Sequence, residues 1–207
     1  MLSYYASRFS AVEINNTFYR LPAESMLAGW VTQVPAGFTF VLKASQRITH
    51  QRRLKPESAE PLDYLVRTSA ALGEARGPFL FQLPPNFKKD ADRLAAFLAL
   101  IPAGIQAAFE FRHPSWHDED VFDALSSAGA ALCVADTETE TTPLRATASW
   151  GYLRLRREAY GEADLGEWAR RIRENDWTDV YVFFKHEDAG TGPRLAHRFE
   201  EIFTATS

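Results

Sequence analysis

The sequence predicts an α/β fold of the TIM-type (β/α) barrel class, on two observations. Strand-like apolar runs alternate with helical patterns, and every run ends in polar residues. The runs are AVEINN (11–16), TFVLKAS (39–45), PFLFQLPP (78–85), AAFEFRH (107–113), ALCVADT (131–137), YLRLR (152–156) and VYVFFKH (180–186). Near-continuous apolar strands joined by long crossovers mark parallel pairing with both faces covered. Such alternation also suits an open doubly wound sheet. That sheet would show a glycine-rich turn after its first strand, and none follows AVEINN, so the barrel is preferred. Seven runs are one short of a complete barrel.

Taken in order, Leu2, Tyr5 and Phe9 have roughly helical spacing and read as the end of a helix. Ser25 to Val34 reads as a helix with Leu27, Trp30, Val31 and Val34 on one face, stopped by Pro35. The stretch QRITHQRRLKPE (46–57) has no amphipathic period and reads as a polar, basic loop, long enough to carry a role. Helical patterns recur at 59–72, 90–101, 119–128, 162–174 and 193–203, with Gly73, Gly104 and Gly129 at C-cap positions. Residues 137–151 read as a loop.

Composition sets outer bounds. A chain of 207 residues, 46% hydrophobic and 13% aromatic, reads as a single compact domain over 1–207. A net charge of -4 gives no global attraction to nucleic acid or acidic lipid, so any anion site must be local. Cys133 is the lone cysteine and sits inside an apolar run, which reads as a buried, inert thiol. No signal-peptide core and no membrane-length run are present, and the expected location is cytoplasmic.

Strand alternation then sorts the side chains. The helix-facing set contains Val12, Ile14, Phe40, Leu42, Phe79, Phe81, Leu83, Phe109, Phe111, Leu153 and Leu155. The axis-facing set contains Glu13, Asn15, Lys43, Gln82, Glu110, Arg112, Arg154 and Arg156; Lys185 ends the last strand, with His186 as its alternative. Asp136 closes the fifth run with its phase undecided. Charges at such positions are costly unless they pair or meet a ligand, and apolar residues would fill a barrel more cheaply. A closed salt-bridge network is the competing reading for any one pair. The cationic candidates Lys43, Arg112, Arg154, Arg156 and Lys185 outnumber the carboxylates, which points to an anionic ligand held by arginine forks.

Other chemistries are weaker. Glu13, Glu110, Asp136, His50, His113 and His186 lie in no recognised metal-ligand spacing; no cofactor is indicated and a divalent metal is not favoured. No nucleophile elbow exists. Ser115 fits a turn, and Trp116 fits a packed rim better than a ring that stacks a base or sugar. Arg47, His50, Arg52, Arg53 and Lys55 form a basic patch that would suit a phosphate backbone, although a solvated loop is the commoner meaning of such a run.

The strand endings resemble the YecE-like domain-of-unknown-function family. The matching motifs are VEINNTFYRLP (12–22), the Phe38 to His50 stretch, LFQLPP (80–85), FEFRHPSW (109–116), Asp136-Thr137 and YLRLR (152–156). The resemblance implies a TIM barrel and no assigned activity. It also exposes two departures. The family begins with a glycine-rich strand of the form G-T-S-G-W before the helix matched by Tyr5 and Phe9, so a first strand upstream of Met1 is expected. It also carries His-Gly where this chain has Arg156 and Arg157, which removes a histidine acid or base there.

The favoured function is a barrel enzyme acting on a phosphorylated or otherwise anionic small molecule. Glu13, Glu110 and Asp136 are the catalytic candidates, and Asn15, Lys43, His50, Gln82, Arg112, Arg154, Arg156 and Lys185 the ligand-binding ones. The alternatives are a nucleic-acid-binding or repair-type protein using the same rim, and a non-catalytic regulatory barrel.

Overall fold

The structure is a computed structural model that describes residues 1–185 and 190–205. His186 lies outside the described residues. The chain divides into two compact units, Met1–Ala130 and Ala131–Ser207.

In the first unit, strands β1 (Ala11–Ile14), β2 (Thr39–Lys43), β3 (Arg76–Gln82) and β4 (Ala107–Glu110) pair in parallel in chain order. Helix α1 (Leu2–Ala6) precedes β1, α2 (Glu24–Val31) joins β1 to β2, α3 (Ala59–Ser69) joins β2 to β3, α4 (Ala91–Leu98) joins β3 to β4, and α5 (Glu119–Ser127) follows β4. The starts of α4 and α5 are fixed by side chains: Asp90 accepts from the Arg93 amide and Asp118 from the Glu119 amide. Gly104 and Gly129, which follow α4 and α5, take φ of +82° and +62°, the left-handed conformation that glycine adopts without a Cβ penalty.

The register explains the core. Ile14 pairs with Leu42 and Leu42 with Phe79, while Phe81 pairs with Phe109, so these side chains share one face. Phe81 stacks on Phe109 at 5.1 Å and meets Phe97 of α4 edge-on at 5.3 Å. Trp30 of α2 stacks on Phe40 at 5.7 Å. The helix-facing assignment of these residues therefore holds, and burial of each phenylalanine ring contributes roughly 2–3 kcal/mol.

In the second unit, β5 (Ala131–Asp136), β6 (Trp150–Leu155) and β7 (Asp179–Phe184) pair in parallel, with α6 (Glu162–Arg173) between β6 and β7 and α7 (Thr191–Ala205) after them. Val134, Leu153 and Leu155 pack with Leu165, Trp168, Ala169 and Ile172 of α6 and Phe199 of α7. Cys133 is buried and in no disulfide.

All seven apolar runs form strands, each within a residue or a few of its expected bounds. The segment 46–57 differs. It is not irregular throughout: Arg47–Gln51 closes a π-helical turn and Pro56–Ser58 a 3-10 turn. Between them Arg53 and Leu54 take φ of +51° and +61°. Two successive non-glycine residues in the left-handed region cost on the order of 1–2 kcal/mol each. Ile48 and Leu54 are buried and anchor the segment, which explains why polarity alone hid its structure.

Candidate functional site

The axis-facing residues of the first unit converge at the C-terminal ends of β1 to β4. Pairing places Glu13 opposite Val41, two residues before Lys43, and Gln82 opposite Glu110. Glu13, Lys43, Gln82 and Glu110 thus lie on one face, opposite to the phenylalanines. Lys43 Nζ donates to Gln82 Oε1 at 2.9 Å, and Gln82 Nε2 donates to Glu110 Oε1 at 2.8 Å. Arg112 Nε lies 3.4 Å from the same carboxylate oxygen. Glu110 is 2% and Gln82 6% exposed, so the chain Lys43–Gln82–Glu110–Arg112 runs from a buried amide and carboxylate out to a half-exposed guanidinium. On β1, Asn15 Nδ2 donates to Glu13 Oε1 at 2.9 Å.

A second layer comes from loops. Phe18, in the 3-10 turn Asn16–Phe18 after β1, lies with its ring 4.5 Å from Lys43 Nζ and meets the His50 ring edge-on at 4.9 Å. Thr17 Oγ1 donates to the Ile14 and Lys43 carbonyls, which fixes this turn to β2. The π-helical turn presents His50, whose Nδ1 pairs with Thr49 Oγ1 at 2.9 Å. Burial first, then the charges of Lys43, Arg112 and Arg53, hold the His50 imidazole below its ordinary pKa.

The basic loop is less available than its sequence indicates. Arg47 and Arg52 both reach Glu60, at 3.6 and 3.0 Å, and Arg53 Nη2 donates to Asn86 Oδ1 at 3.1 Å. Trp116 is fully buried, stacked 4.8 Å from Phe111 with Nε1 donating to the Phe87 carbonyl, and presents no face to a ligand. Ser115 Oγ pairs with His113 Nδ1 and accepts from the Lys89 amide, the turn role expected of it.

In the second unit the pairing settles the phase of Asp136. It lies opposite Leu155 and two residues beyond Val134, on the face that packs against α6, whereas Ala135 lies opposite Arg154. Arg154 and Arg156 therefore occupy the other face of β6, with Lys185 continuing the register of β7 beside Arg156. Arg154 is 3% exposed. Asp136 Oδ1 accepts from Thr141 Oγ1 at 2.6 Å, and Oδ2 accepts from Tyr160 Oη and Arg157 Nε, both at 2.8 Å. Burial pulls the Asp136 pKa upward, but these three donors outweigh it and hold the carboxyl below its ordinary range. Burial and the same carboxylate drive the Tyr160 pKa upward. Both oxygens of Asp136 are committed to structure, so this geometry suits an anchor better than a proton carrier.

Phe18, Arg53, Arg157 and Tyr160 were not singled out by strand alternation. Phe18 lies inside the matched motif NTFYRL, and Arg157 adjoins the candidate Arg156, but neither is on a strand. Among the described residues no three or more His, Cys, Asp or Glu side chains gather as a metal site requires. Among the same residues no helix is long and apolar enough to cross a membrane.

A family model described as "Protein of unknown function DUF72" matches residues 1–207. The UPF0759 protein YunF of Bacillus subtilis (strain 168) is 26% identical over 230 residues, covering 91% of this chain and 81% of that protein. A solved DUF72 family protein from Enterococcus faecalis V583 superposes with a TM-score of 0.85 at 18% identity, over 99% of this chain and 88% of its own. Another from Thermotoga maritima MSB8 gives 0.84 at 25% identity, over 98% and 88%. With seven parallel strands alternating with helices, the fold class is α/β of the TIM-barrel type.

Proposed function

We propose that this chain, which belongs to the DUF72 family of proteins of unknown function, binds a small organic anion at the strand ends of its first unit. The observation that carries the reading is the chain Lys43–Gln82–Glu110–Arg112, which sets two cations from different strand ends about one buried carboxylate. Evolution of an inert core would not need charge there, because apolar residues fill strand ends at lower cost. A carboxylate or phosphate would complement that field, with the Arg112 fork and Lys43 as its direct partners. Glu110 holds Gln82 and Arg112 in place and, with Glu13, is the proton acceptor nearest the anion. His50, held below its ordinary pKa, places an imidazole next to Phe18 and Thr49 beside this group. Arg154, Arg156 and Lys185 supply a second basic row on β6 and β7.

The nucleic-acid reading gains no specific support. Trp116 is fully buried and offers no ring to stack on a base. Titration with inorganic phosphate, followed by NMR or calorimetry, tests the anion site. Saturable binding that drops at least tenfold in Lys43→Met and in Arg112→Ala supports it; a protein indifferent to phosphate, sulfate and carboxylates overturns it.

A further inference from the structure

A cavity of about 660 Å³ opens in the first unit, lined by α2, α3 and the loops after β1 and β2. Its size falls within the range of small-molecule sites. Tyr19 and Arg20 reach it from the loop after β1, Met26 from α2, Tyr64 from α3 and Arg47 from the π-helical turn. None of Lys43, His50, Glu110 and Arg112 lines it. The Phe18 ring stands 4.5 Å from Lys43 Nζ and 5.0 Å from the Tyr19 ring, so it divides the cavity from the polar cluster. The two are separate places on the unit.

The lining is unusual in what it leaves exposed. Tyr19, Met26 and Tyr64 are 72%, 55% and 49% exposed, and all three border this one cavity above the buried Leu65. Large apolar side chains gathered in water mark a surface that meets something. The charges beside them are of one sign. Among the described residues none of those lining the cavity is acidic, and none forms an ion pair or side-chain hydrogen bond with the Arg20 guanidinium. Arg47 meets Glu60 at 3.6 Å in an exposed pair, which a bound anion displaces at little cost. Tyrosine faces, a soft thioether and guanidinium planes suit a flat ring, and two cations without acid suit a negative group on it.

We infer that this cavity is a second binding site, independent of the strand-end cluster, for a small aromatic carboxylate or phosphate. Its ring lies among Tyr19, Met26 and Tyr64, and its anionic group is held by Arg20 and Arg47. Nothing in the inference requires an anion at Lys43, so it stands or falls apart from the proposed function. The chain also carries its own local reporter. Its only methionines are Met1 and Met26, so methyl labelling of methionine gives two signals, and Met26→Leu assigns the one in the cavity.

The test titrates the full chain with 2-naphthoate and with its neutral counterpart 2-naphthylmethanol, following the methionine methyl signals by NMR. Naphthoate should shift the Met26 methyl saturably, through the ring current of the bound naphthalene, and leave Met1 in place. It should bind about tenfold tighter than the alcohol, as a charge-assisted contact gives. Arg20→Gln, at an exposed position, should remove that tenfold advantage and leave the alcohol within about twofold. Tyr64→Ala should weaken both probes about fivefold, the worth of one aromatic contact. Unchanged urea midpoints show that the variants are folded. A Met26 methyl that neither probe moves overturns the site, as does a naphthoate affinity that survives Arg20→Gln or Tyr64→Ala. Loss of naphthoate binding in Lys43→Met instead of Arg20→Gln overturns its independence from the strand-end cluster.

Discussion

Gln82 donates its amide Nε2 to Glu110 Oε1 across 2.8 Å, and by accepting from Lys43 with its other atom it joins a cation to a buried carboxylate. A primary amide does both from separate atoms, Oε1 accepting while Nε2 donates. Replacement of Gln82 by leucine keeps the volume but removes a donor from a carboxylate that is 2% exposed. The expected loss is about 1–3 kcal/mol, read from urea midpoints, together with weaker phosphate binding as Lys43 loses its orientation. Unchanged midpoint and affinity in Gln82→Leu would remove the bridging role.

His50 gives the site a pH signature. Its folded pKa lies below the ordinary 6.5 because of burial and the cations Lys43, Arg112 and Arg53. Between the lowered value and 6.5 the unfolded chain binds more protons than the folded one, so stability rises with pH across that window and is lost as pH falls through the folded value. A bound phosphate offsets the cations and should move the His50 pKa back upward. Histidine Cε1–H titration with and without phosphate measures both effects, and His50→Gln identifies the resonance. A His50 that titrates at or above 6.5 without ligand would contradict the arrangement.

Asp136 should behave as an anchor. Its stabilisation is complete above the ordinary 3.8 and is lost as pH falls through its lowered folded value. Asp136→Asn takes the charge from Arg157 and weakens the acceptor of Tyr160, at an expected cost of about 2–4 kcal/mol in denaturant unfolding. Phosphate affinity of the folded variant should stay within about twofold. A tenfold loss of affinity at full stability would return Asp136 to the group of site residues.

Arg53 is a candidate for strain retained for function. Its φ of +51° suits glycine, and its guanidinium meets Asn86 and the Phe87 ring. Arg53→Gly should leave stability equal or raise it by about 1 kcal/mol while phosphate binding weakens. A variant that loses stability and keeps full affinity would show that the residue serves the fold alone.

Alternation made the strands and most of the polar face legible, because period two fixes which side chains share a side once the strands are known. It assigned Lys43, Gln82 and Glu110 to one face although Lys43 and Gln82 are 39 residues apart. It failed where phase or backbone depends on distant partners. The face of Asp136 follows from its pairing with Leu155, and its role from Tyr160, 24 residues away. The loop 46–57 shows no period because only Ile48, Thr49 and Leu54 are buried within it, at spacings no regular element produces. Trp116 gave no sign of its bond to Phe87, 29 residues earlier.

Gly151 carries a constraint of the same hidden kind. Within β6 it reads as a weak strand residue, yet a Cβ there would lie 2.5 to 2.7 Å from three ring carbons of Trp177. The indole is wider than the gap that an alanine would leave, and a ring yields less readily than a flexible chain end. Gly151→Ala should therefore cost about 1–3 kcal/mol in denaturant unfolding. Trp177 is only half-buried and its Nε1 has no hydrogen-bond partner, so shrinking it to leucine is the cheaper change. The double variant Gly151→Ala/Trp177→Leu should recover most of the loss caused by Gly151→Ala, giving a coupling of about 1 kcal/mol or more. Strict additivity of the two changes would mean that the close approach of strand and indole is not what holds glycine at this position.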